Sequence, residues 1–303
     1  MDYKYIWGNL LTNKFFNDVN LKIINLETSV TTSKNPQNKA VLYKMHPYNI
    51  QTLKVVGIDY CNLSNNHLLD WGHSGLKETL ETLKSKRIGH GGAGYNIHEA
   101  QLPQKYNIFE QSVYIYSVAD FDSGIPSNWK ASDTRLGINV ININDWNDID
   151  NFGNFIKKTS SSADLVIVSV HWGSNWGWEV EQKYEDCAHY LIDHCNVDLI
   201  HGHSSHHFRP IEIYKNKLII YGCGDLINDY EIIHNPLHDQ FMPHVCLTYY
   251  PLYQNRQLIS LKIIPLTIKN FQLIELSIDD QMKSLTLLNS ICEKYGLIFN
   301  TSY

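Results

Sequence analysis

The stretch His201-Gly202-His203-Ser204-Ser205-His206-His207 holds four imidazoles in seven residues. The whole chain has 15 His in 303 residues, so chance would put fewer than one there. Imidazole is the commonest protein metal ligand and titrates nearest neutral pH. The stretch follows Val197 to Ile200, an apolar segment that reads as a strand. In open α/β sheets, ligands bind beyond the carboxyl ends of strands. A metal or phosphate site is the first expectation. A His-rich polar loop without a ligand is the plainer one, because such tracts are a compositional signal only.

Four more polar clusters follow apolar runs in the same way. They are Asn25-Leu26-Glu27-Thr28, then Ser64-Asn65-Asn66-His67 with Asp70 beyond it, then His171-Trp172-Gly173, and last Gly222-Cys223-Gly224-Asp225. Five strand-end clusters of carboxylate, amide and imidazole imply one shared site. Carboxylate and amide oxygens suit hard cations, while imidazole suits Zn, Fe, Ni or Cu, with Mn in mixed sites. Such a set often holds two metals about 3.5–4 Å apart that activate a water against a phosphoester. Each cluster also has a plainer reading. Glu27 alone is a solvated strand-end acid, and Asn66 with His67 and Asp70 is a helix cap. Asp225 and Asp229 are acids at a hairpin end, and His207 is a solvated neighbour. His73, His90 and His98 read as surface or cap residues, and Trp172, Trp176 and Trp178 as an apolar wall or core.

The elements that position these residues alternate at first. Strands are expected at 21–25, 58–63, 113–118, 138–143, 164–170 and 197–200, with helices at 47–56, 75–86, 145–158 and 179–195 between them. Strands then dominate: a hairpin over 211–214 and 218–221, and further strands at 244–250 and 258–264. A terminal helix is expected over 278–295. This order suggests a mixed sheet sandwich flanked by helices in one domain.

The hydrophobic fraction is 43%, enough for a sizeable core, and the net charge is −6. That balance argues against nucleic acid or an anionic membrane as the general partner. No run reaches the roughly 18 apolar residues that a membrane-spanning helix needs. The six cysteines form no C-x-x-C pair. They read as reduced and buried, which fits a cytoplasmic location by default, or an extracytoplasmic one if an upstream segment is missing.

Taken together, the motifs resemble the capsule-synthesis protein CapA family, associated with poly-γ-glutamate synthesis, a branch of the calcineurin-like metallophosphoesterase superfamily. The residues that carry the resemblance are NLE at 25–27, NNHLLDWGHSGL at 65–76, GAGYNIHEA at 92–100, HWG at 171–173, GHSSHH at 202–207 and YGCGDLINDYE at 221–231. It implies an α/β fold, a calcineurin-like αββα sandwich, as a single domain over 1–303. The core would lie at about 5–265, with a strand and helix extension over 266–303. By position it implies Glu27, Asn66, His171, His203 and His206 as metal ligands. His67 would act as acid or electrostatic stabiliser near a leaving group, with Asp70 fixing its tautomer. The family's usual His-Pro inside the last motif is Ser204-Ser205 here. The family's first strand ends in Gly-Asp, and nothing before Glu27 supplies it. Trp7-Gly8-Asn9 is the nearest feature. The sheet is therefore expected to lack its first strand, with an open edge and one metal position incomplete.

The resemblance implies a metal-dependent hydrolase of phosphoester type. It would use one or two divalent ions (Mn, Zn or Fe) on a phosphorylated small molecule. The alternatives are a non-catalytic component of a capsule or poly-γ-glutamate synthesis or export assembly that binds a polyanion, and a polyglutamate amide hydrolase using the same metal.

Overall fold

A computed structural model describes residues 2–231 and 235–300. The architecture is mixed α/β. A small parallel sheet comprises β1 (Ile23–Asn25), β2 (Tyr60–Asn62) and β3 (Gly89–Gly91), with β2 in the centre. β1 is therefore an edge strand. Helix α1 (Gly72–Ser85) buries Leu76, Leu80 and Leu83, spaced along one helical face. They join Ile58, Cys61, Leu63 and Ile88 in one apolar cluster.

The second sheet has seven strands: β4 (Gln104–Ile108), β5 (Gln111–Asp120), β6 (Val140–Ile141), β7 (Leu165–His171), β8 (Leu199–His203), β9 (Ile211–Tyr214) and β10 (Lys217–Ile220). Their order is β6-β5-β7-β8-β10-β9, with β4 paired antiparallel to β5. The centre, β5-β7-β8-β10, is parallel. Both its faces are covered, which is why β7 reads as an unbroken β-branched run. Val166, Val168 and Val170 pack under helices α2 (Trp146–Thr159) and α3 (Gln182–Cys195). Ile167 and Leu199 face the other way, toward an antiparallel sheet of β11 (Val245–Gln254), β12 (Gln257–Lys269) and β13 (Gln272–Glu275) and toward helix α4 (Ile278–Cys292).

Several expectations shift in detail. The strand expected at 197–200 runs from Leu199 to His203, so half of the His-rich stretch lies inside a strand. The strand expected at 138–143 breaks into Gly137–Ile138 and Val140–Ile141. Strands β3, β4 and β13 have no counterpart in the sequence reading. Trp7-Gly8-Asn9 packs on β13, where Asn9 Oδ1 accepts from the Glu275 N–H at 3.2 Å. The β9–β10 hairpin turns at Lys215 and Asn216, both left-handed (φ 50° and 60°), as a two-residue hairpin turn demands. No helix among the described residues is long and apolar enough to cross a membrane.

The layers are pinned at Asp198, just before β8. Its side chain is 1% exposed and pairs with Lys217 Nζ at 2.6 Å and Arg256 Nη2 at 2.8 Å. It also accepts from the Val166 N–H at 2.8 Å, which ties β7, β10 and the β11–β12 turn to one carboxylate. Removing one partner of a buried pair strands the other charges. Asp198→Ala should therefore lower unfolding stability by about 3 kcal/mol. Urea denaturation should show this as a lower midpoint at unchanged slope, whereas an unmoved midpoint would mean that the two cations are fully resolvated.

Candidate functional site

Strand alternation puts Ser169 and His171 of β7 on one face, and His201 and His203 of β8 on the same face. The parallel register sets Ser169 beside His201 and His171 beside His203. The side chains then find each other. His171 Nδ1 and His203 Nδ1 are 2.9 Å apart, and Ser169 Oγ bridges His203 Nε2 at 3.1 Å and His201 Nδ1 at 3.0 Å. His171 is fully buried and His203 nearly so. Between them Gly202 faces away, where a Cβ would lie 2.4 Å from the Ile220 carbonyl oxygen. Only glycine lets β8 sit this close to its neighbour.

The small sheet supplies the facing wall. Asn25, at the end of β1, donates to Glu27 Oε2 at 2.8 Å. Its own oxygen accepts from the Asn62 and Asn65 amides at 2.9 and 3.1 Å. Glu27 Oε2 thereby lies 4.0 Å from His171 Nδ1. Asn65, not Asn66, caps the following turn, accepting from the His67 N–H at 3.1 Å. His67 Nδ1 meets Asp70 Oδ2 at 2.6 Å, and the Tyr43 ring stacks on its imidazole at 3.8 Å. Lys39 reaches in from a loop to Asp70 Oδ1 at 2.6 Å and to the Asn66 carbonyl oxygen. On the far rim His206 Nδ1 contacts Asp225 Oδ2 at 3.1 Å, and Asn228 holds the same carboxylate at 2.9 Å. Among the buried polar atoms of the described residues that have no partner, three belong to these groups: His171 Nε2, Asn66 Oδ1 and Asn62 Oδ1.

Burial sets the charges. It pushes His171 and His203 well below the usual imidazole range, with His67, His206 and Lys39 adding to it for His171, and His171 and His201 for His203. Burial also brings His201 down to about 4 and lowers His67, although Asp70 opposes the latter. Burial raises Glu27 to about 7, against the pull of the His206 charge. Burial also works against a charged His206, but the hydrogen bond and charge of Asp225, helped by Glu27, prevail and lift it to about 9. At neutral pH the site therefore has neutral imidazoles at its floor and two cations, Lys39 and His206, at its walls. Each cation faces an acid.

Glu27, Asn66, His67, Asp70, His171, His203 and His206 thus surround one cleft, but not as a metal centre. A structural or catalytic ion needs three or more lone pairs aimed at one point about 2.0–2.2 Å away. Here Nδ1 of His171 faces Nδ1 of His203, His203 Nε2 meets Ser169, and Nδ1 of His67 and of His206 are taken by acids. An ammonium, Lys39, lies 3.5 Å from His67 Nδ1. No group of three or more His, Cys, Asp or Glu among the described residues is arranged to hold a metal ion. The expected divalent cofactor, whether Mn, Zn or Fe, is therefore corrected. The metal-dependent phosphoester hydrolase built on it is corrected too, and so is the amide hydrolase that needed the same ion.

Sequence reasoning missed Lys39 and Tyr43, which come from an irregular polar loop with neither periodicity nor motif. Ser169 was findable, since it alternates with His171 inside β7. His90, read as a surface or cap residue, lines a separate cleft. Trp172 belongs to the core, with its Nε1 donating to the Tyr221 carbonyl oxygen, while Trp176 and Trp178 flank His207.

Comparison with known proteins fits the motifs. A relative from Mycobacterium tuberculosis named "Probable polyglutamine synthesis accessory protein" is 35% identical over 302 residues, spanning 98% of this chain and 79% of its own length. The Bacillus subtilis "PGA biosynthesis protein CapA" is 27% identical over 209 residues, 68% of this chain and 52% of that protein. The Bacillus anthracis "Capsule biosynthesis protein CapA" is 27% identical over 182 residues, 59% of this chain and 42% of that protein. The family described as "Bacterial capsule synthesis protein PGA_cap" matches residues 1–230, and the chain belongs to that family.

Proposed function

We propose that this chain is a non-catalytic accessory of capsule or polyglutamate synthesis that binds glutamyl units of the polymer in the cleft. The observation that carries this reading is that His171 Nε2 and Asn66 Oδ1, like Asn62 Oδ1 in the same wall, are buried without a partner. Leaving buried polar groups unpaired costs about 1–3 kcal/mol each, so a ligand that pairs them gains that much. In the tautomer where His203 Nδ1 donates to His171 Nδ1, His171 Nε2 carries a proton and needs an acceptor. Asn66 Oδ1 needs a donor. A glutamyl unit offers both, a carboxylate and an amide N–H. Lys39 and His206 place positive charge around the carboxylate. The overall charge of −6 fits the capture of single units better than a broad polyanion track.

The same proposal takes the layers of helices and sheets as a calcineurin-like αββα sandwich whose former donors have turned to one another. The order of the Asn-His, His-Trp-Gly and Gly-His motifs along the chain supports it. The names of the relatives support the polymer as ligand.

Titration calorimetry with short γ-linked glutamate oligomers tests the binding. Lys39→Met should weaken it about tenfold, roughly 1.4 kcal/mol, with Asn66→Ala as an independent probe of the same cleft. Absence of heat with the wild-type protein would overturn the reading. The polymer's length, followed by gel filtration, should stay constant during prolonged incubation, and shortening would establish an enzyme instead.

A second expectation concerns metal removal. Dialysis against a chelator should leave both the melting temperature and oligomer binding unchanged, because nothing in the cleft depends on an ion. A drop in melting temperature that added divalent metal reverses would contradict the donor geometry described above.

A further inference from the structure

A second cleft lies at the opposite end of the small sheet. It has a volume of about 400 Å³ and opens where the chain enters β2 and β3, between Gly57-Ile58-Asp59 and Gly89-His90. Three cations line it: Lys54, Lys84 and Arg87. Lys22 adds a fourth beside Gly57, its ammonium 3.8 Å from where a Cβ on that glycine would sit. Asp59 is the one acid among the lining residues, and its carboxylate already accepts from the Lys22 N–H at 2.8 Å. Among the described residues no ion pair engages Lys54, Lys84 or Arg87. In a chain of net charge −6 this is a local inversion of sign.

The floor is built for close approach. Tyr106 donates its hydroxyl to the Asp59 carbonyl oxygen at 2.8 Å. A Cβ on Gly89 would lie 2.0 Å from that hydroxyl, so only glycine admits it. His90 beside it is lowered by burial, which its contact with the Ile88 carbonyl oxygen opposes and the Lys84 charge assists.

The plain explanation of these cations is local. Lys54 and Lys84 each sit in the last turn of a helix, where positive charge complements the carbonyl end. That accounts for two of the three lining cations and not for their convergence with Arg87 on one cavity beside Lys22, whose ammonium also lies over the Phe16 ring. It also narrows the ligand. Compact phosphate dianions are usually cradled by backbone N–H groups at helix N-termini, and here the helix ends are carbonyl ends. Spaced single charges fit better, each met by one ammonium or by the guanidinium fork of Arg87.

We propose that this cleft is a second docking point that takes carboxylates of the same acidic polymer, at a distance from the His171 cleft. The inference rests on the polyglutamate reading above. Two contacts on one chain raise affinity for long polymers while leaving short ones unchanged.

The test measures binding of long poly-γ-glutamate and of a short γ-glutamate oligomer by the full chain, with inorganic tripolyphosphate as a third probe. Wild type is compared with Lys84→Glu/Arg87→Glu and with Lys39→Met, all checked for an unchanged circular dichroism spectrum and a cooperative melt. The expected result is a loss of about tenfold or more for long polymer in the double charge reversal, with oligomer binding retained. If the reversed residues perturb folding, Lys54→Gln in the wild-type background reads the same cleft and should weaken long polymer alone. Equal binding of long polymer by wild type and the double variant overturns the second docking point and leaves the first cleft standing. Failure of the wild type to bind either glutamate probe overturns both readings. Tripolyphosphate that displaces long polymer from Lys39→Met at lower charge concentration than glutamate would assign the cleft to phosphate instead.

Discussion

The parallel pairing of β7 with β8 is the constraint on which the site depends. Its register decides that His171 lies beside His203 and Ser169 beside His201. A slip of β8 by one residue would turn His201 and His203 toward the apolar layer under α2 and α3, away from Ser169 and His171. Register is held by what surrounds it: three valines of β7 packed on the helix side, Ile167 and Leu199 on the other, and Asp198 accepting the Val166 N–H where the strands begin. The polar contacts of the cleft are therefore consequences of an apolar fit some residues away.

Once placed, the imidazoles satisfy each other. Two neutral rings 2.9 Å apart share one proton along their Nδ1 contact, and the serine between β7 and β8 takes up a further nitrogen. In a dry interior such a network is worth having only if nearly every member is paired. The atoms left over are His171 Nε2 on this side and Asn66 Oδ1 and Asn62 Oδ1 among the amides and acids of the facing wall. Asn25 holds that wall rigid, since its amide serves Glu27 while its oxygen serves Asn62 and Asn65. The unpaired atoms mark where the protein stops supplying its own partners.

Much of this was legible in the sequence. The strand-end position of Glu27, Asn66, His171 and His206 follows from short apolar runs that end in polar groups, and their gathering follows from a parallel sheet, where such ends share one side. The helices at 72–85, 146–159 and 182–195 were visible in their apolar spacing. What the sequence hid is the direction in which a side chain points once it arrives. Residue type is the same for an imidazole that aims a lone pair at an ion and for one that spends it on its neighbour. Hence the metal expectation failed, although the residues named for it lie near one another. Lys39 was hidden for another reason. A long flexible side chain from an irregular loop reaches many places, and only tertiary contact with Asp70 and His67 fixes which.

Lys39 also explains why the arrangement is self-consistent. A buried Asp70 needs counter-charge, and His67 alone would have to be protonated to give it, which its burial resists. The ammonium supplies that charge directly at 2.6 Å, so His67 can remain neutral while still in contact with the carboxylate. With His67 neutral, the charge repelling its neighbours falls, and His171 keeps its own neutral, donor-bearing form. Burial thus keeps the floor neutral, and the loop cation adds to it at His67 and His171. In the tautomer where His203 Nδ1 donates to His171 Nδ1, an N–H and an amide oxygen are left without partners, and those are the groups the proposed glutamyl ligand would pair.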